Sequence, residues 1–383
     1  MTTPTDRHIR LTRPVTGAEE LEAVRAVLES GMLAQGRMVE RFEGLVAERC
    51  GSRHAVATSS CTTALHLALV ALGIGAGDEV AVADFTFPAT ANVVAQQGAK
   101  VVPVDIDPAT YAMDPADLER RISPRTRAII VVDPVGSPAN HAAIAQIARG
   151  RGVPVIDDAA CAIGGRSCGA QIGSNAFSAI TCFSFHARKV ITTGEGGMIT
   201  TNDDAAAALC RTLRAHGGVR DGGVMRFDHA GFNYRLSDLQ AAVGVVQMGR
   251  LDGILADRRR LALGLNERLT PLAARLGVQL PADPPWGPHL FQSFVVMLPE
   301  RIDRDAVIGE LAIRGVEATI GTYAVHAEPV YAALSGTKPG DRPASWRARR
   351  SCLTLPLHPF LTGDDLDAIA GAFDDSLRAQ GAS

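Results

Sequence analysis

The chain is 383 residues long, room for roughly two or three domains of ordinary size. Hydrophobic residues make up 46% and charged residues 21%, the balance of a soluble globular chain with a sizeable core. The net charge of −3 excludes a basic field for nucleic acid or an anionic membrane surface.

The opening residues, MTTPTDRHIRLTRP, hold no apolar export segment, and no apolar run reaches membrane-spanning length. Residues 17–29 place Leu21, Val24 and Leu28 at helical spacing and predict a first amphipathic helix. A β–α alternation follows. Apolar runs at 54–58, 80–84, 101–105, 128–132, 153–157 and 180–185 read as buried strands, with helical patterns at 63–72, 117–122 and 142–149 between them. Such alternation predicts an α/β fold, a largely parallel sheet covered on both faces, with sites gathered at the carboxyl edges of its strands.

Past residue 236 the texture changes. A helical pattern runs from 237 to about 268, 281–288 reads as a linker, and strand 293–297, helix 304–314, strand 316–320 and a helix from 364 form a smaller α/β unit. The expected division is 1–245 for an N-terminal segment and large domain, and 246–383 for a small C-terminal domain. Seven cysteines, odd in number and without a CxxC pair, predict reduced thiols in a cytoplasm and no zinc site.

Only three of the 38 basic residues are lysine: Lys100, Lys189 and Lys338. Lys189 follows the predicted strand 180–185 among apolar and hydroxylic neighbours and leads into a glycine-rich turn, Gly194-Glu-Gly-Gly197, before another strand. A surface loop lysine is the bland alternative; its scarcity and setting favour an amine held desolvated for attack on a carbonyl. Ser59-Ser60-Cys61-Thr62-Thr63, between a strand and a helix, suits either a plain N-cap or a phosphate at a helix N-terminus. Asp157 and Asp158 end a strand and point to opposite faces, so one of them meets a site; such a carboxylate can keep a pyridinium protonated. Phe87 offers an aromatic at a strand end, able to stack on a flat ring or to sit in a core.

In order and pairing these segments resemble the DegT/DnrJ/EryC1/StrS family of pyridoxal-phosphate aminotransferases. The likeness runs from about residue 15 to 360 and includes Gly77-Asp-Glu-Val80, Thr86-Phe87, Asp157-Asp158-Ala-Ala160, Ser184-Phe-His186, Lys189, Thr193-Gly-Glu-Gly-Gly-Met198 and Gly231-Phe-Asn233-Tyr-Arg235. It implies a fold-type-I α/β/α sandwich with a smaller C-terminal domain, and pyridoxal 5'-phosphate as cofactor. Lys189 then matches the lysine that carries the cofactor as a Schiff base, Asp158 the partner of its ring nitrogen and Phe87 the stacking aromatic. Thr62, Ser184 and the backbone at Cys61 match the phosphate cradle, and Asn233 a residue reaching into the neighbouring subunit's site, which implies a homodimer. Cys161 stands where the family has histidine or glutamine near the ring's phenolic oxygen, Asp157 where it has glutamate, and Val132-Asp-Pro-Val-Gly136 replaces a more usual His-Leu-Tyr-Gly.

The implied activity is transfer of an amino group from an amino acid, glutamate or glutamine, to a nucleotide-linked keto sugar or a keto-cyclitol, in specialised-metabolite or glycan synthesis. The alternatives are a non-sugar acceptor, a dehydration on the same fold, where histidine replaces the lysine, or a non-catalytic regulator that binds the cofactor.

Overall fold

The computed structural model describes residues 8–381. Residues 1–7, on which the reading of no export segment begins, lie outside the described residues. Seven strands build the central sheet: β1 His54–Thr58, β2 Glu79–Ala83, β3 Lys100–Val104, β4 Thr126–Val132, β5 Val155–Asp158, β6 Ile180–Ser184 and β7 Gly197–Thr201. Their order is β1-β7-β6-β5-β4-β2-β3. All neighbouring pairs are parallel except the two that β7 makes with β1 and β6. The sheet is therefore mixed, because the glycine-rich turn brings β7 straight back beside β6 without a crossover helix.

The apolar runs are explained by burial on both faces. Along β4, Ala128 and Ile130 join one core cluster while Ile129 and Val131 join another. Gly197 is required where β7 begins: a Cβ there would lie 2.3 Å from the Ser60 carbonyl and 2.6 Å from Cys61 N. That close pass fixes the loop before the helix Cys61–Ala71 against the end of the sheet.

The first helix is Ala18–Ser30, one residue along from its predicted span. Three helices the periodicity does not single out, Arg37–Cys50, Ala89–Gln96 and Asp204–Leu213, also cover the sheet. The long helix runs from Asp238 to Leu276, through Pro271 and past the expected end near 268. Packing overrides the proline: Leu269, Leu272 and Leu276 are buried in the second core. Ala241, Leu251 and Ile254 of the same helix belong to the large core, so the expected boundary at 245/246 falls within an element that serves both units.

The smaller unit holds an antiparallel sheet in the order Phe294–Met297, Cys352–Leu355, Thr319–Ile320. The expected strand 316–320 shortens because Val316 makes a separate parallel bridge with Ile9. The two units are fastened where Phe85–Thr86 pairs with Tyr323–Ala324. Among the described residues no helix is long and apolar enough to cross a membrane.

Candidate active site

A cavity of about 670 Å³ opens at the carboxyl ends of β5 and β6. Cys61, Thr62, Phe87, Asp158, Cys161, Ser184 and Lys189 all line it. Residues from distant parts of the sequence thus converge where an open α/β sheet places its ligands. Asn233 does not line the cavity; it is exposed on the segment bridged to Ala215.

The helix Cys61–Ala71 starts at the cavity wall. Ser60 Oγ accepts the Thr63 N–H at 3.1 Å and Thr63 Oγ1 accepts the Ser60 N–H at 3.0 Å, a reciprocal cap. The N–H groups of Cys61 and Thr62 precede the first intrahelical bond, and the helix dipole makes this end receptive to an anion. Ser184, at the end of β6, adds a hydroxyl to the same wall.

Asp158 ends β5, and of the two neighbouring aspartates it is the one that faces the cavity. Its Oδ2 accepts from Thr90 Oγ1 at 2.7 Å and its Oδ1 from Ala160 N–H at 3.3 Å, with the Cys61 thiol donating at 3.9 Å. Burial pushes its pKa up; Thr90, Lys189 and the Ala160 N–H pull the other way and leave it above the usual carboxylate value.

Lys189 sits in the turn after β6, its N–H donating to the His186 carbonyl at 2.9 Å. Its Nζ donates to Cys161 Sγ at 3.1 Å. The sequence suggests an amine held desolvated so that some of it is unprotonated, and its surroundings pull on that balance in both directions. Burial works to lower the lysine pKa, but Cys161, Cys61 and Asp158 outweigh it and pull it above the ordinary value. Phe87 leaves most of its ring exposed and meets Tyr323 edge-on at 6.1 Å between centroids.

Several contributors carried no distinguishing mark in the sequence. Thr90 reads as one more residue of a helix, although its register, four after Thr86, lets the two hydroxyls meet at 3.0 Å below Asp158. Arg258 lies within an arginine-rich helix, yet it is buried, donates to the Phe291 carbonyl at 2.9 Å and to the Gln292 carbonyl, and burial pulls its pKa down to about 10. Gln292, held this way, lines the cavity and donates to the Arg188 carbonyl at 2.9 Å. Val135 adopts φ +54° at the cavity rim, a left-handed conformation rare for a β-branched residue.

This donor set fits pyridoxal phosphate. The open helix end at Cys61 and Thr62, pinned by the close pass of Gly197, suits a dianionic phosphate. Asp158, a buried carboxylate with one hydroxyl and one amide for support, suits a ring cation, and Lys189 is the cavity's primary amine.

Comparison with known proteins agrees with the geometry. The model of the DegT/DnrJ/EryC1/StrS aminotransferase family matches residues 14–374. The chain is similar to GDP-perosamine synthase of Caulobacter vibrioides, 41% identical over 344 residues that cover 89% of this chain and 91% of that protein. It is 35% identical to the spore coat polysaccharide biosynthesis protein SpsC of Bacillus subtilis, over 95% of this chain and 96% of the relative. The crystal structure of the aminotransferase TlmJ from Streptoalloteichus hindustanus superposes with a TM-score of 0.91 at 32% identity, covering 98% of this chain and 100% of that one.

Proposed function

The chain belongs to the DegT/DnrJ/EryC1/StrS aminotransferase family and is a pyridoxal-phosphate-dependent aminotransferase, and we propose that it aminates the keto group of a nucleotide-linked sugar. The observation that carries this reading is one cavity that joins the anion-receptive helix end, Asp158 and Lys189. The similarity to GDP-perosamine synthase, across nearly the whole of both chains, supports a nucleotide-linked acceptor over a keto-cyclitol.

Pyridoxal phosphate supplies an aldehyde that takes up the amino group and a cationic ring that withdraws an electron pair. Thr62, Ser184 and the N–H groups at Cys61 and Thr62 would hold its phosphate. Asp158 would accept the ring N–H, and Phe87 would cover one ring face. Cys161 would stand by the ring's phenolic oxygen, the position the family likeness gives it. Lys189 would hold the cofactor through Nζ; once a donor amine displaced it, the freed amine would be placed to take up the donor's α proton and return it during the exchange. The donor is an amino acid, glutamate or glutamine by the family likeness. The acceptor then binds the same cavity and leaves with the amine, a two-stage exchange that feeds glycan or specialised-metabolite synthesis in the cytoplasm.

The working unit of this reading is a homodimer with shared sites. Asn233 is exposed outside its own chain's cavity, and the neighbouring hairpin Gly218–Asp221 with Val224–Phe227 exposes Val219, Val224, Met225 and Phe227. Such a patch and such a misplaced polar residue suit a second copy. Mixing Asn233→Ala with Lys189→Ala protein should restore part of the activity on subunit exchange; no recovery, or a fully active monomer, would oppose the shared site. For the reaction, the enzyme is given glutamate or glutamine and a panel of 4-keto and 3-keto nucleotide sugars, with mass spectrometry of the products. Stoichiometric amination of a nucleotide sugar is expected; amination of a free cyclitol alone, or elimination of water without amine transfer, would replace the proposal.

A further inference from the structure

The face of β5 turned away from the cavity carries a second polar assembly. Asp157 points there. Asp133, just past β4, and His141, which opens the helix His141–Arg151, complete it. His141 Nε2 lies 2.8 Å from Asp133 Oδ1, and its Nδ1 lies 3.7 Å from Asp157 Oδ2. The Ala139 N–H donates to the same Asp133 oxygen at 2.7 Å. All three side chains are buried, with 0% of Asp133, 2% of Asp157 and 4% of His141 exposed. Asp133 Oδ2 and Asp157 Oδ1 have no hydrogen-bond partner.

Two carboxylates removed from water need a compensating cation. The ligand atoms of the three residues lie within 4.8 Å of one another, so a metal ion has to be weighed. The imidazole argues against it: Nε2 lies within hydrogen-bond reach of Asp133 and Nδ1 faces Asp157 at an ion-pair rather than a hydrogen-bond distance, so the ring stands between the two carboxylates and balances both when it carries a charge. A metal would take one nitrogen and need the two carboxylates to converge on it. The assembly is also tied to the cavity. Asp157 adjoins Asp158 in the chain, and the Asp133 N–H donates to the Asp158 carbonyl at 3.3 Å.

We propose that His141 is a positioning residue for the cofactor: as an imidazolium behind β5 it offsets Asp133 and Asp157, and so keeps Asp158 ionised toward the ring nitrogen. This rests on the role given to Asp158 above. The electrostatics run the same way. Burial works to lower the His141 pKa, but Asp133 and Asp157 outweigh it and push it up to about 9. Asp133 also raises Asp158, and burial followed by Asp133 raises Asp157 well above the usual carboxylate range, with His141 opposing. The other ionisable neighbours are Cys168 beside His141, Cys50 beside Asp157, Cys182 beside both aspartates, and Lys189 and Cys61 beside Asp158.

The sign follows. With the cation gone and both carboxylates kept, Asp158 feels more negative potential, its pKa rises further, and it is neutralised at a higher pH. The test is pyridoxal-phosphate affinity against pH, by equilibrium dialysis on the refilled enzyme, for wild type, His141→Gln, the double variant Asp133→Asn/His141→Gln, and Asp158→Asn. His141→Gln should move the acid limb of binding up by about one pH unit, roughly a tenfold loss of affinity on that limb. The double variant, which removes one negative charge with the positive one, should move it back. The cofactor phosphate titrates alike in every variant and cancels from the comparison.

A folded His141→Gln protein with the wild-type profile, or a double variant no better than the single one, would overturn the proposal while leaving Asp158 in place. Unchanged affinity in Asp158→Asn would instead sink the reading beneath it. Should His141→Gln not fold, the ¹⁵N spectrum of wild-type enzyme labelled in histidine decides. Two protonated ring nitrogens on His141 at neutral pH are expected; a singly protonated ring, or one equivalent of bound divalent metal, would overturn the proposal.

Discussion

Four adjacent strands of the central sheet, β3, β2, β4 and β5, reach their carboxyl ends at an aspartate, and the four aspartates divide into two pairs. On one half of the sheet, Asp84 Oδ1 accepts the His326 N–H at 2.7 Å, its Oδ2 meets His326 Nδ1 at 2.5 Å, and Ser345 Oγ donates to the same oxygen. Beside it Asp105 accepts the Ser345 and Ala344 N–H groups at 2.8 and 3.1 Å. Both are fastenings that bind the sheet to residues 326–345. On the other half, Asp133 meets the His141 imidazole and the Ala139 N–H through one oxygen while the other has no partner, and Asp158 faces the cavity with one hydroxyl and one amide in hand. Residue type and topological position are shared; what differs is whether the chain returns to cover the strand end. Where it returns, the carboxylate is consumed in structure. At Asp158, where it does not, the carboxylate remains available to a ligand.

Changes at the two halves should therefore fail in different ways. The largest effect is expected at the fastening. His326→Ala leaves the Asp84 carboxylate buried without its partner, and thermal or urea unfolding should show a loss of roughly 3–5 kcal/mol. The stability should also depend on pH. Burial works to lower the His326 pKa, but Asp84 and the Pro339 carbonyl outweigh it and hold it above the ordinary histidine value. A raised folded pKa means the contribution is complete below about pH 6.5 and fades as pH rises through the folded value. The gap in Tm between wild type and His326→Gln should accordingly be wider at pH 6 than at pH 9; a gap that widens with pH would contradict the assignment.

Asp158→Asn should behave in the opposite manner. Unfolding should change little or even improve, because a buried charge is removed, while cofactor affinity falls roughly 10- to 100-fold, the worth of a hydrogen bond to a charged group. Dialysis and unfolding on the same preparation separate the two. A loss of stability without a loss of affinity would make Asp158 a fastening like Asp84. The smallest change is at Thr90→Val, which removes the hydroxyl 2.7 Å from Asp158 Oδ2. About 1 kcal/mol, near a fivefold change in cofactor affinity, is expected, with turnover following affinity.

The same contrast explains what could be read from the sequence. Strand positions were legible because strands covered on both faces are apolar throughout, as Ala128–Val132 is. Lys189 was legible because lysine is so scarce in this chain, and Asp158 because two aspartates end one strand. The fastening was not: His326 and Ser345 lie more than two hundred residues from Asp84, and a histidine before a glutamate and a proline announces nothing. The long helix outran its reading because three buried leucines hold it past Pro271. Lys189 lines the cavity, but the upward pull on its pKa was not legible, since it depends on Cys161 and Asp158 converging from another strand. Asn233 lies outside the cavity of its own chain, where only a second subunit would give it the role that the family likeness implies.

The central claim is that this cavity holds pyridoxal phosphate through Lys189. It is tested most directly by reducing the refilled enzyme with borohydride and mapping the pyridoxyl group by peptide mass spectrometry. With only Lys100, Lys189 and Lys338 in the chain, the result is unambiguous. The label should appear on the peptide carrying Lys189 alone and vanish in Lys189→Ala, whereas label on Lys100 or Lys338, or label that persists in the variant, would contradict the account.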